Sequence, residues 1–159
     1  MLLDYAKARA IAYPVDFFVD FEDSKVTWFQ WLSCDAMYLY CVLLSTSALN
    51  DFVMQQPFAS NTYFYLRKTI TSLNEYLSDS ATSLKDSTFA VVIALASLSS
   101  AIGDHTAAST HITGLQEMVR LRGGPEAFLS NPKLHIKICR SVLPVVLQPK
   151  RHSQNSVST

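Results

Sequence analysis

An all-α fold is predicted, built as antiparallel helical hairpins packed into a single irregular bundle, and three observations predict it. Apolar residues return at three- and four-residue spacing in successive stretches, which gathers them on one side of a 3.6-residue helix. These stretches carry helix punctuation, such as Asp104 ahead of one and Gly123-Gly124-Pro125 behind it. Hydrophobic residues make up 49% of the 159 and charged residues 16%, and a chain of this length buries roughly 70% of its unfolded surface, enough for one core.

In chain order, Leu2, Leu3, Ala6, Ala10 and Tyr13 suggest a short amphipathic helix that Pro14 ends. Val15 to Asp23 then interleaves Asp16, Asp20, Glu22 and Asp23 with Phe17, Phe18 and Phe21. Two readings apply to these residues. One is an activation-type acidic segment whose phenylalanines enter a coactivator groove. The other is an extended strap whose aromatics dock on the helical core. Residues 1–27 are thus expected to hold the N-terminal helix and strap, 28–147 the helical domain, and 148–159 a polar, disordered tail.

Ser33 is expected to cap a helix running to about Val53, with Asp35 in its first turn and an apolar middle, Ala36 to Leu44, suited to an interior position. Pro57 closes the connection, and Ser60 or Asn61 is expected to cap the next helix. There Tyr63, Leu66, Ile70, Leu73 and Leu77 form a stripe, while Arg67, Lys68, Asn74 and Glu75 face outward. A third helix starts near Asp86 and runs to Ala101, apolar almost all round, with small residues that permit close packing. It stops at Gly103, and the turn to the next helix is so short that the two must be antiparallel neighbours.

That next helix carries the densest pattern. Asp104 is its expected N-cap; Ala108, Ile112, Leu115, Met118 and Val119 form its packed side; Arg120 and Arg122 sit in the last turn, where cations are favoured. One glycine of the Gly123-Gly124 pair supplies a left-handed C-cap. Gly114, inside the helix, costs roughly 1 kcal/mol relative to alanine, and close approach of another helix is the expected reason for it. On that reading Gly114→Ala destabilises by overpacking. After a single turn at Pro125 to Leu129, Asn131 caps and Pro132 opens a last helix lined by Leu134, Ile138 and Val142, which Pro144 and Pro149 break.

The order His111, Gly114, Leu115, Met118, Val119, Arg122, Gly123, Gly124 resembles the core motif of the fungal-specific transcription factor domain. Leu32 to Ala36, Leu73 to Asp79, Asp86 to Thr88, Gly103-Asp104, Asn131 to Leu134 and Ile138 to Arg140 fit the same family in order, from about Trp28 to Arg140. The resemblance implies an all-helical regulatory region of the kind that follows a six-cysteine zinc cluster, located in the nucleus. It also implies an acidic residue after Arg140 and further helices, where this chain has Ser141-Val142-Leu143-Pro144, so the domain reads as truncated at its C-terminal side.

The cysteines, Cys34, Cys41 and Cys139, offer no Cys-x-x-Cys spacing, so neither the zinc cluster nor another metal site is expected from them. They read as small core hydrophobes in a reducing, intracellular compartment; Cys34 and Cys41 would stand about 10.5 Å apart on one helix, beyond disulfide reach. His105 and His111 fall on nearly opposite sides of theirs, and His111 reads as a core histidine that is hydrogen-bonded or fixes a helix contact. No phosphate loop, catalytic constellation, cofactor site or continuous membrane-length apolar run is recognised.

Net charge is zero, with seven acids against three bases up to Leu66 and five bases without an acid beyond Glu126. Lys133, Lys137 and Arg140 would form a weak patch at most, so direct nucleic-acid contact is not expected. The expected function is regulatory: protein partners or self-association. The alternatives are a small-molecule effector site in an apolar pocket between the Ser33, Asp86 and Asp104 helices, and a helical protein without a regulatory role.

Overall fold

The computed structural model describes residues 32–146, with side chains as far as Ser141. The N-terminal helix, the segment holding Phe17, Phe18 and Phe21, and the tail lie outside the described residues. The described chain forms α1 (Ala36–Val53), α2 (Ser60–Ser78), α3 (Asp86–Ala101), α4 (His105–Arg122), a short 3-10 helix (Pro125–Phe128) and α5 (Pro132–Val146), with no strand among them. α1 and α2 make one antiparallel hairpin and α3 and α4 a second; α3 touches all four other α-helices.

The central position of α3 follows from its composition. Eleven of its sixteen residues are buried, Phe89, Val91 and Ile93 almost completely, and a helix apolar on every side is stable only when neighbours surround it. Its alanines and hydroxyl residues keep those neighbours close. Thr88, fully buried, donates to the Thr82 carbonyl at 2.8 Å.

α1 differs from expectation at both ends. Asp35, not Ser33, is the N-cap: it is extended and its carboxylate accepts from the Tyr38 amide at 3.0 Å, while Ser33 lies within helical residues 32–34. Nor is α1 enclosed. One stripe, Met37, Tyr38, Cys41, Leu44 and Ala48, is buried, whereas Ala36 and Leu39 are exposed, because α2 and α3 are the helices that pack on it most. By length and composition α1 is apolar enough to cross a membrane, which the sequence reading had not found; its buried stripe is that of a core helix.

The other end of α1 explains the connection. Asp51 carries a negative charge in the last turn, where the helix dipole disfavours it, so it needs donors. It has them: Oδ2 accepts from the Ala59 amide at 2.8 Å and from the Thr62 hydroxyl at 2.6 Å. With its proton given to Asp51, Thr62 Oγ1 accepts from the Ser47 hydroxyl, 2.6 Å away. α2 therefore starts without a capping side chain of its own: Ala59 is its N-cap residue, and neither Ser60 nor Asn61 serves. This anchor turns α2 relative to the expected stripe. Thr62, Thr69 and Leu73 face inward with Leu66 and Tyr76 partly covered, while Tyr63, Ile70 and Leu77 are exposed. Small hydroxyl residues satisfied locally, Thr69 by the Tyr65 carbonyl at 2.8 Å, let α1 approach where bulkier apolar residues would not.

Hydrogen bonding to Thr62, then to Ala59, lowers the Asp51 pKa from its ordinary 3.8. His111, half-buried, is lowered from 6.5 by loss of water, opposed in part by Asp104. Both act in the same direction. The neutral His111 ring is compatible with folding above pH 6.5, and stability falls as the unfolded chain takes up its proton below that value. The Asp51 contribution is complete above 3.8 and is lost as pH falls through its lower folded value. Urea midpoints measured from pH 8 to pH 3 are expected to fall in both windows, the upper decline being absent in His111→Gln and the lower one in Asp51→Asn.

α5 begins as expected: Asn131 Oδ1 accepts from the Leu134 amide at 3.2 Å, Pro132 is the first residue, and Leu134 and Ile138 are buried. It does not stop at Pro144 but runs to Val146. A proline this near the C-terminal end forfeits a single backbone bond and leaves little helix beyond it to disrupt.

Candidate functional site

The motif residues on α4 divide into a packed side and a terminal corner. Leu115 is fully buried, and Met118, Val119 and Ala108 are buried beside it. Asp104 caps the helix as expected, its carboxylate accepting from the Ala107 amide at 2.9 Å. His111 is half-buried and has no hydrogen bond among the described residues.

Gly114 contradicts its expectation. It is exposed, and a Cβ built there meets no described atom within 4 Å. No helix approaches it, so the overpacking reading falls, and the sign of its substitution reverses. Gly114→Ala is expected to stabilise by about 0.5–1 kcal/mol through helix propensity alone, read as a raised denaturant midpoint at unchanged m-value.

The corner is made where the chain leaves α4. Gly123 adopts φ 106°, and the Gly123 and Gly124 amides donate to the Arg120 and Val119 carbonyls at 3.2 and 2.9 Å, which satisfies two of the carbonyls a helix end leaves open. Only a residue without Cβ takes that left-handed turn at low cost. The turn holds Arg122 against the start of α3. Its Nη1 donates to Asp86 Oδ1 at 2.5 Å and to the Leu84 carbonyl at 3.2 Å. The other Asp86 oxygen accepts from Asn131 Nδ2 at 2.9 Å. The guanidinium carbon stands 4.3 Å from the Phe128 ring centroid and 5.4 Å from that of Phe89, and the two rings meet edge to face at 4.8 Å.

One arginine thus ties α3, α4, the 3-10 helix and the start of α5. Its planar fork suits this, because it forms in-plane hydrogen bonds while its faces stack on rings. Arg120, two residues earlier, is different: it pairs with Glu117 at 2.5 Å on the open surface, where such pairs contribute little. Sequence reasoning placed Arg122 only as a dipole partner and missed Asp86, Asn131, Phe89 and Phe128 as its contacts. The signal was present. In an antiparallel hairpin with a minimal turn the start of α3 must lie beside the end of α4, and an acid at the one faces an arginine at the other.

Burial raises the Cys41 thiol to about 12, which keeps it protonated and inert. Cys34 is exposed rather than in the core, and Cys139, half-buried, has its sulfur 3.6 Å from His135 Nε2. Among the described residues no group of three or more His, Cys, Asp or Glu side chains is placed to hold a metal ion. Cys41 and Leu44 of α1, Phe89 and Ile93 of α3 and Leu115 of α4 belong to the buried core. An open hollow of about 550 Å³ lies along α4, lined by His105, Thr106, Ser109, Thr110 and Thr113.

Two antiparallel helical hairpins tied at an Arg-Gly-Gly corner define an all-helical domain. The chain belongs to the fungal specific transcription factor domain family, whose model it matches over residues 21–153. Neither a curated protein nor a solved structure gave a match. Membership carries a regulatory role in general, and the matched span includes the whole described bundle.

Proposed function

We propose that this chain is a protein-binding regulatory module of a fungal transcription regulator, working in the nucleus through partner proteins or self-association, and neither contacting DNA itself nor catalysing a reaction. The family match across the helical frame is the observation that carries this reading. The surface supports it. Large apolar side chains remain exposed at the α1–α2 turn, Val53 and Met54, and around the α4–α5 corner, Leu121, Leu129 and Ile136, each more than half accessible. Partner contacts gain most from such groups.

The test tethers the 159-residue chain to an unrelated DNA-binding domain upstream of a reporter in a fungal host. Reporter output is expected to change several-fold, and Leu129→Asp with Ile136→Asp, both on exposed positions, is expected to abolish the change without altering the melting temperature. Unchanged output from a folded, nuclear fusion would overturn the reading.

A further inference from the structure

Two donor side chains meet on α5 that neither the Arg122 corner nor the exposed apolar surface uses. His135 and Cys139 are four residues apart, so they stand one above the other on the same side of the helix. Cys139 Sγ lies 3.6 Å from His135 Nε2, and both residues are half-buried. The backbone beneath them is fixed by packing. Each follows a core anchor, Leu134 or Ile138, that is almost fully buried, and the His135 amide donates to the Asn131 carbonyl at 2.9 Å. The other described cysteines differ: Cys41 is enclosed and Cys34 is open to solvent, and Cys139 alone is paired with an imidazole among the described residues.

We propose that His135 and Cys139 chelate a borderline-soft divalent cation, zinc or an ion of its chemical kind, through Nε2 and Sγ. The separation carries the assignment. Bonds of about 2.3 Å to sulfur and about 2.0–2.1 Å to nitrogen, meeting at the tetrahedral angle, put the two donors about 3.5–3.6 Å apart, which is the distance found. An ion held linearly would need the sum of the two bond lengths, about 4.3 Å. On binding, the sulfur gives up its proton to water as the metal–sulfur bond forms, and Nε2 supplies its lone pair, which places the ring proton on Nδ1.

Two protein donors leave half of a tetrahedral shell to water. That is fewer than a structural zinc site has, so the ion exchanges with solution and its occupancy follows the free concentration. Charge decides against hard cations. These need oxygen ligands, whereas α5 carries Lys133, Lys137 and Arg140 and no acid. A thiolate is the ligand that offsets further positive charge there. The bound ion clips two successive turns of α5 beside Ile136, which is 51% exposed. The site rests on its own geometry and stands whether or not Ile136 meets a partner.

The test titrates cadmium, whose bond to a thiolate gives an ultraviolet charge-transfer band, into the full chain carrying Cys34→Ser. A saturable band is expected at one ion per chain, displaced by zinc and indifferent to magnesium. Cys139→Ser is expected to abolish it. His135→Ala and His135→Gln are each expected to weaken cadmium roughly 100-fold, the loss of the second arm of a chelate, while His105→Ala, exposed on α4, leaves the affinity unchanged. Metal-free melting curves check that every variant is folded. A band that does not saturate, one that survives Cys139→Ser, one that magnesium displaces, or an affinity indifferent to both His135 variants would each overturn the proposal.

Discussion

Arg122→Ala is expected to destabilise the domain by about 3 kcal/mol, within the range for removing one partner of a desolvated ion pair. The substitution strips Asp86 of its cation and the Leu84 carbonyl of a donor, and it uncovers the faces of Phe128 and Phe89. Both charged side chains keep about a quarter of their surface in water, 23% for Arg122 and 24% for Asp86, which holds the figure below that of a fully enclosed pair. Arg122→Lys preserves the charge and loses the planar fork, so roughly half of the loss is expected to remain. Guanidinium unfolding followed by circular dichroism measures both. A lysine variant as stable as the parent would show that charge alone matters at this position.

Phe128→Ala is the second large effect, at about 3–4 kcal/mol. Phe128 is fully buried although it belongs to a four-residue 3-10 helix, an element too short to be stable by itself. Its ring is what joins that element to Phe89 of α3 and to Arg122. Without it the segment between α4 and α5 loses its anchor, and α5 loses its fixed starting point. Because Phe128 and Arg122 touch, the double variant is expected to fall short of the sum of the single ones by about 0.5 kcal/mol or more. Thermal unfolding of the four proteins tests this.

The fold was legible in the sequence where the signal is local. Asp104, Gly123 and Pro132 punctuate helices through their own backbone and side chains, and each stands where the sequence placed it. The α3–α4 hairpin was legible for the same reason, since a minimal turn leaves two helices no other arrangement. What misled was any inference about which side a neighbour occupies. The a–d spacing of Tyr63, Leu66, Ile70, Leu73 and Leu77 looked like a core stripe, yet the anchor from Asp51 to Thr62 turns α2 so that the stripe lies half outside. Gly114 looked like a close contact because a glycine inside a helix calls for a cause, and none is found among the described residues. The α1 N-cap was misplaced by two residues because Ser33 and Asp35 are both good caps, and only the extended backbone at Asp35 decides between them.

The site was legible as a motif and not as an arrangement. Arg122, Gly123 and Gly124 stood out as a group, but the partners of Arg122 are 36 and 38 residues earlier in the chain at Asp86 and Leu84. Two separate helix ends must be docked before the acid, the arginine and the two rings share one place. Asn131 is legible as a cap and gives no sign that its amide also reaches Asp86.

The most direct measurement is a double-mutant cycle on Asp86→Ala and Arg122→Ala, with unfolding free energies for the parent, both single variants and the double. If the corner ties the second hairpin to α5 as described, the pair is expected to show a coupling of about 1–3 kcal/mol. Single variants whose effects add within about 0.3 kcal/mol would contradict it, leaving the two residues as neighbours that contribute independently.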